Sequence, residues 1–239
     1  MVNPNEDGAG YSYRALRLSI GLLGLLLPLL LAVGTGFQSM TSVSDYYYTN
    51  MRDLFVGVLF FLTLFLAFYR PYRRPEKNEG IVDTVISIVS AIAAGLLALF
   101  PTYNQTLGHV PQGLVLNVVP AAWSGTLHNL GSGTLFTAFA VMSMFVFTQT
   151  GLDPGGNRVK AAGRKLARNV LFIVFGVGIL ACIGSIGWRV YDAHGDQTAI
   201  DTMNIFAPEA TALVLFGLSW LVKGRAFPFL NDKAQRLAK

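Results

Sequence analysis

Few residues in this chain carry side chains able to bind a metal, move a proton or hold a headgroup. The three histidines are His109, His128 and His194, and near them in the pattern of apolar runs stand Asp45, Asp53, Asp192, Asp196, Asp201 and Glu209. Imidazole and carboxylate are the usual nitrogen and oxygen ligands of a divalent ion such as zinc, so His128 with Glu209 is the candidate metal pair. The same groups serve as general acid and base, which makes His128, Asp53 and Glu209 the candidate catalytic residues. Their spacing forms no motif. The histidines are separated by 19 and 66 residues, with no HxxxH or HExxH to set two ligands on one helical face, and scattered surface histidines are the competing reading.

The densest polar segment is Ser44-Asp45-Tyr46-Tyr47-Tyr48-Thr49-Asn50-Met51-Arg52-Asp53. Ser44, Asp45, Tyr46 and Arg52 are its candidate binding groups. Arg52 and Asp53 adjoin an apolar run, at a depth where charges seek partners. A structural reading stands beside this one, with Asn50 capping the following helix, Asp53 answering it, and the tyrosines forming an interfacial belt. Glu209 follows Pro208 at the start of the last apolar run, where the helix dipole favours a carboxylate. Arg52, Arg189 and His128 are its expected partners. His128 precedes Gly131-Ser132-Gly133, small residues that let a backbone or ligand approach closely.

The elements that must position these groups are apolar runs. Hydrophobic residues make up 53% of the 239, charged residues 13%, and the mean hydropathy is +0.50. An ordinary soluble domain carries about a quarter charged residues, so lipid is the expected solvent. The runs are 18–37, 54–69, 81–100, 131–147, 170–188 and 205–222. Each is close to the about 20 residues of a spanning helix, which predicts an all-α, six-span transmembrane bundle in one domain. A signal peptide cleaved after Ala32-Val33-Gly34 competes for the first run, which is long for an apolar core of about 7 to 15 residues. Pro28 is expected to kink that helix. Ala91 with Gly95, and Gly178 with Cys182, have the spacing of close helix contacts. The sole cysteine, Cys182, excludes an intrachain disulfide.

The net charge of +5 is distributed by topology. Sixteen of the eighteen Lys and Arg lie before the first run, in the second and fourth connectors and in the tail, and only Arg52 and Arg189 fall in the others. Basic connectors stay in the cytoplasm, so both termini are predicted inside, in the inner or plasma membrane. The candidate polar residues then face outward. The third connector, 101–130, has no Asp, Glu, Lys or Arg, and its apolar stretch 113–119 is expected to lie on the membrane as a lid. No P-loop, dinucleotide fingerprint, GxSxG elbow or cysteine cluster is present, which sets aside nucleotide-driven activity; a nucleic-acid partner is not expected either.

The strings SDYYYTNMRDLFVG and EATALVLFGLSWLVKG, with ALFPT ending the third run, resemble an uncharacterised group of bacterial six-span membrane proteins. That group has a Tyr-rich S-x-Y-Y segment before R-D/N-x-F-V-G, a histidine before the fourth span, and a glutamate opening a span that closes W-L-V-K-G. The resemblance implies roles for Ser44, Tyr46, Arg52, Asp53, His128 and Glu209. More remotely the chain is similar to the ceramidase and adiponectin-receptor-like membrane hydrolases, which use histidine-bound zinc on lipid amides. It departs from them in span number and in lacking their paired histidines. In size and span number it is also similar to DRAM-like and Sfk-type proteins.

Two function classes follow. In the first, the outward polar cluster binds a lipid headgroup or a partner; in the second, it is the site of a metal-dependent hydrolase acting on a lipid or lipid-linked substrate. A small-solute transporter is the third reading. It is disfavoured because the middles of the runs lack Asp, Glu, Lys, Arg and His, whereas transporter sites sit near the midplane.

Overall fold

The computed structural model describes residues 4–69, 81–102, 108, 114–150 and 160–231. They form seven α-helices and no strands: α1 Pro4–Gly34, α2 Arg52–Phe68, α3 Ile81–Leu99, α4 Ala121–Val141, α5 Gly163–Asp192, α6 Gln197–Asp201 and α7 Phe206–Lys223. α4 runs on through a π-turn, Met142–Val146. Helices α1, α3, α4 with its extension, α5 and α7 are long and apolar enough to cross a membrane. α2 has 17 residues and no charge after Asp53, at the lower end of the about 17 to 25 that span hydrocarbon.

Neighbouring helices close a ring. α1 packs on α7, α7 on α5, α5 on α4, α4 on α3 and α3 on α2, and α2 also touches α1. The interior is aromatic. Trp220 is fully buried with its ring edge-on to Phe65, Tyr69, Phe147 and Phe216, and Phe216 stacks on Phe139. Large apolar side chains such as Leu29, Leu64, Ile92 and Val177 are exposed on the outer faces. Such a perimeter is costly in water and natural in lipid.

A close backbone contact joins α1 to α7. A Cβ on Gly217 would stand 2.4 Å from the Leu25 nitrogen and 2.6 Å from the Gly21 oxygen, and one on Gly24 would meet the Gly217 backbone at 3.1 Å. Of the small-residue pairs expected at interfaces, Gly178 does face α7 at Leu215, whereas Gly95 has ordinary room beside Thr63. α1 continues through Pro28.

One boundary moves in a way that matters. The fourth apolar run begins at residue 131, but α4 begins at Ala121. Its first turns hold Ser124 and His128, one helical turn apart, and both are buried. Ser124 donates to the Pro101 carbonyl and His128 bonds the Phe100 carbonyl, both at the end of α3. The polar face is thus buried by pairing with backbone acceptors, which hydropathy does not register.

Most of the described basic residues gather at the other end of the bundle, away from Arg52 and Arg189. Arg14 donates to the Gly224 and Arg225 carbonyls, Lys165 to Phe147, Arg164 to Asn231 and Arg168 to Leu230. Residues 70–80 in the second connector, 103–107 and 109–113 in the third, including His109, and 151–159 in the fourth lie outside the described residues. Within the third, Leu114–Asn117 is a 3-10 turn and Val118 is exposed.

Candidate functional site

The site is built on the connector after α1. Ser42-Val43-Ser44-Asp45 has the Ser/Thr-x-x-Asp/Glu pattern of a capping box and starts a 3-10 turn, Val43–Tyr48. Asp45 Oδ2 accepts from the Ser42 nitrogen at 2.9 Å, the Thr41 nitrogen at 3.0 Å and the Thr41 hydroxyl at 2.6 Å. The expected box one turn later is absent. Met51 caps α2 without a side-chain bond, and Asn50 donates instead to the Gly34 carbonyl at 3.1 Å.

This turn is fixed to α7 and α4. The Ser42 hydroxyl and the Val43 nitrogen donate to Glu209 Oε2 at 2.7 and 2.8 Å, and the Thr41 carbonyl accepts from Ile205. Glu209 therefore pairs with Ser42 and Val43 rather than with Arg52, Arg189 or His128. Ser44 Oγ lies 2.8 Å from His128 Nε2, while His128 Nδ1 lies 2.7 Å from the Phe100 oxygen. A carbonyl only accepts, so Nδ1 carries the hydrogen. In the neutral ring Nε2 is then the acceptor and the Ser44 hydroxyl the donor.

A cavity of about 380 Å³ opens beside these groups. Ser42, Ser44, Asp45, His128 and Glu209 form its polar end, joined by Asn129 and Ser132 of α4. Ile183, Ile186 and Val190 of α5 with Met203 make an apolar wall. Val190 is 41% exposed although it lines the cavity, so the outer half of α5 leaves this side open. No Lys or Arg is among the lining residues. A second, apolar groove of about 500 Å³ runs between α3 and α4, lined by Val85, Val89, Leu130 and Thr137. Asn129 and Gly133 line both, and a Cβ on Gly133 would meet nothing within 4 Å.

The sequence-derived candidates divide. Ser44, Asp45, His128 and Glu209 are buried and come together at the cavity. Tyr46 is buried below the turn against Phe206, not on the cavity wall. Arg52 stands outside, its guanidinium 4.6 Å over the Tyr47 ring. Asp53 is exposed on the first turn of α2, so it does not join His128 as a catalytic pair. His194 is exposed near Asp192, beyond α5. Tyr48 donates to the Thr102 carbonyl, and burial pushes its phenol up to about 12, which keeps it a neutral donor at physiological pH. Ser42, Thr41 and Asn129 are cavity residues that the sequence reading did not single out. For Ser42 the signal was present, since S-x-x-D announces a capped turn.

Zinc does not fit this donor set. The one ring nitrogen of His128 open to a metal, Nε2, is engaged by Ser44, Glu209 Oε2 accepts two protein hydrogens, and no group of three His, Cys, Asp or Glu able to hold a metal occurs among the described residues.

No protein-family model, curated protein or solved structure shows a significant match to this chain.

Proposed function

We propose that this chain is a six-span membrane protein, with both termini and the basic connectors in the cytoplasm, whose outward cavity binds a membrane lipid through a headgroup rich in N–H or O–H donors. Two carboxyls, Asp45 and Glu209, line the cavity, and no cation does. Such an end attracts donors and repels anions. The observation that carries the reading is the junction at Asn129 and Gly133, where the polar cavity meets the apolar groove between α3 and α4. One amphiphile can occupy both, with its headgroup among the carboxyls and a chain along Val85 and Val89. The gathering of Arg14, Arg164, Lys165 and Arg168 at the opposite end supports the orientation.

Amine and sugar headgroups share this donor chemistry. Native mass spectrometry of purified protein offered equal amounts of phosphatidylethanolamine, a glycosyl diacylglycerol and phosphatidylcholine separates them. Retention of either donor-bearing lipid over phosphatidylcholine is expected, and the better retained of the two identifies the headgroup. Equal retention of phosphatidylcholine, or retention of none, removes the reading.

A further inference from the structure

We propose that Ser44 and His128 are a nucleophile and its general base, and that the protein hydrolyses the carboxylic ester of the lipid held in its cavity. This rests on the lipid reading above.

A serine becomes a nucleophile when a base accepts its proton and a third group orients that base. All three are present. Ser44 Oγ is 2.8 Å from His128 Nε2, and the Phe100 carbonyl, 2.7 Å from Nδ1, fixes the tautomer that leaves Nε2 free to accept. Ser44 is further held by its backbone, whose N–H donates to the Ser42 hydroxyl at 3.0 Å, itself bound to Glu209. The nucleophile therefore sits on a turn fixed from two sides, which is the preorganisation a catalytic group needs.

Other buried serines show what a structural hydroxyl looks like in this fold. Ser87 donates to the Leu66 carbonyl, Ser124 to Pro101, and Ser143 bonds the Phe172 carbonyl and Ser219. Each ends on a backbone acceptor, and none lines the cavity or the groove. Ser42 also lines the cavity, but its hydroxyl ends on the Glu209 carboxylate; Ser44 alone among the buried serines pairs with an imidazole, and that pair forms part of the cavity wall. Asn129, next to His128 in the chain, also lines the cavity, and a side-chain amide is the kind of group that stabilises an oxyanion.

The reaction balances without a redox partner. Ser44 Oγ bonds to the ester carbonyl carbon as its proton passes to His128 Nε2. The ester C–O bond then breaks, and the proton on Nε2 goes to the departing alcohol of the lysolipid. Water next attacks the acyl-Ser44 carbonyl, giving a proton to Nε2; the Ser44–acyl bond breaks, that proton returns to Ser44 Oγ, and the fatty acid leaves.

A fluorophosphonate probe tests this on the full chain in detergent. The expected result is phosphonylation of wild type at Ser44, mapped by peptide mass spectrometry. Ser44→Ala should remove the label, and His128→Gln should slow labelling by about 10²- to 10⁴-fold with the fold retained. Should either variant fail to fold, the labelled position in wild type still decides. Folded wild type that stays unlabelled, or is labelled at another serine, overturns the dyad. Bound lipid measured on the same sample separates the two readings: unlabelled protein that keeps its lipid overturns only the hydrolase, and unlabelled protein without lipid overturns both.

Discussion

The Ser42 hydroxyl donates to Glu209 Oε2 at 2.7 Å, joining residues 167 positions apart and tying the connector after α1 to the start of α7. Both partners are buried, and the same oxygen accepts the Val43 nitrogen. One carboxylate thus holds in place the turn that carries Ser44 and Asp45.

Glu209→Ala should destabilise the protein far more than Glu209→Gln. Alanine leaves the Ser42 hydroxyl and the Val43 N–H buried without an acceptor, at about 1–3 kcal/mol for each group. Glutamine keeps one oxygen where Oε2 stands. Thermal unfolding in detergent checks this, and equal midpoints for the two variants would mean that the contact contributes nothing.

The α1–α7 contact leaves no space for a side chain at Gly217. Gly217→Leu should cost about 1–3 kcal/mol or prevent folding, because its Cβ would run into the α1 backbone. Gly95→Ala, with 3.6 Å to Thr63, should be tolerated. Comparable losses in both would show that the packing is misassigned.

Orientation is open to a labelling test. With Cys182 replaced by serine, single cysteines at Lys160 and Thr198, both exposed, should react from opposite sides of the membrane, Thr198 from outside. Reaction of Lys160→Cys with an impermeant reagent in intact cells would reverse the topology.

Much of this architecture was legible in hydropathy and charge, and the exceptions have physical causes. The apolar runs marked α1, α3, α5 and α7, but α4 began ten residues early because Ser124 and His128 pair with the carbonyls of Pro101 and Phe100. Glu209 and His128 stood out as rare polar groups beside hydrocarbon. Their partners did not, since serine hydroxyls and backbone carbonyls are common and become specific only when the chain brings 42 to 209 and 44 to 128. Arg52 and Asp53 looked as prominent as Ser44 in sequence. The turn of α2 carries Asp53 outward and stacks Arg52 on Tyr47. The contact of Gly21 and Gly24 with Gly217 was hidden for a related reason, because a glycine reveals a close approach only once its neighbour is known.

The central claim is that one lipid occupies the cavity and the adjoining groove. Photocrosslinking in membranes, with a diacyl lipid carrying a diazirine midway along one chain, tests it most directly. Crosslinks should concentrate on α3 and α4 around Val89, Leu130 and Thr137, and should fall sharply in Gly133→Phe, a substitution that the open space at Gly133 lets fold while it blocks the junction. Crosslinks spread evenly around the helix ring, or unchanged in the folded variant, would contradict the account.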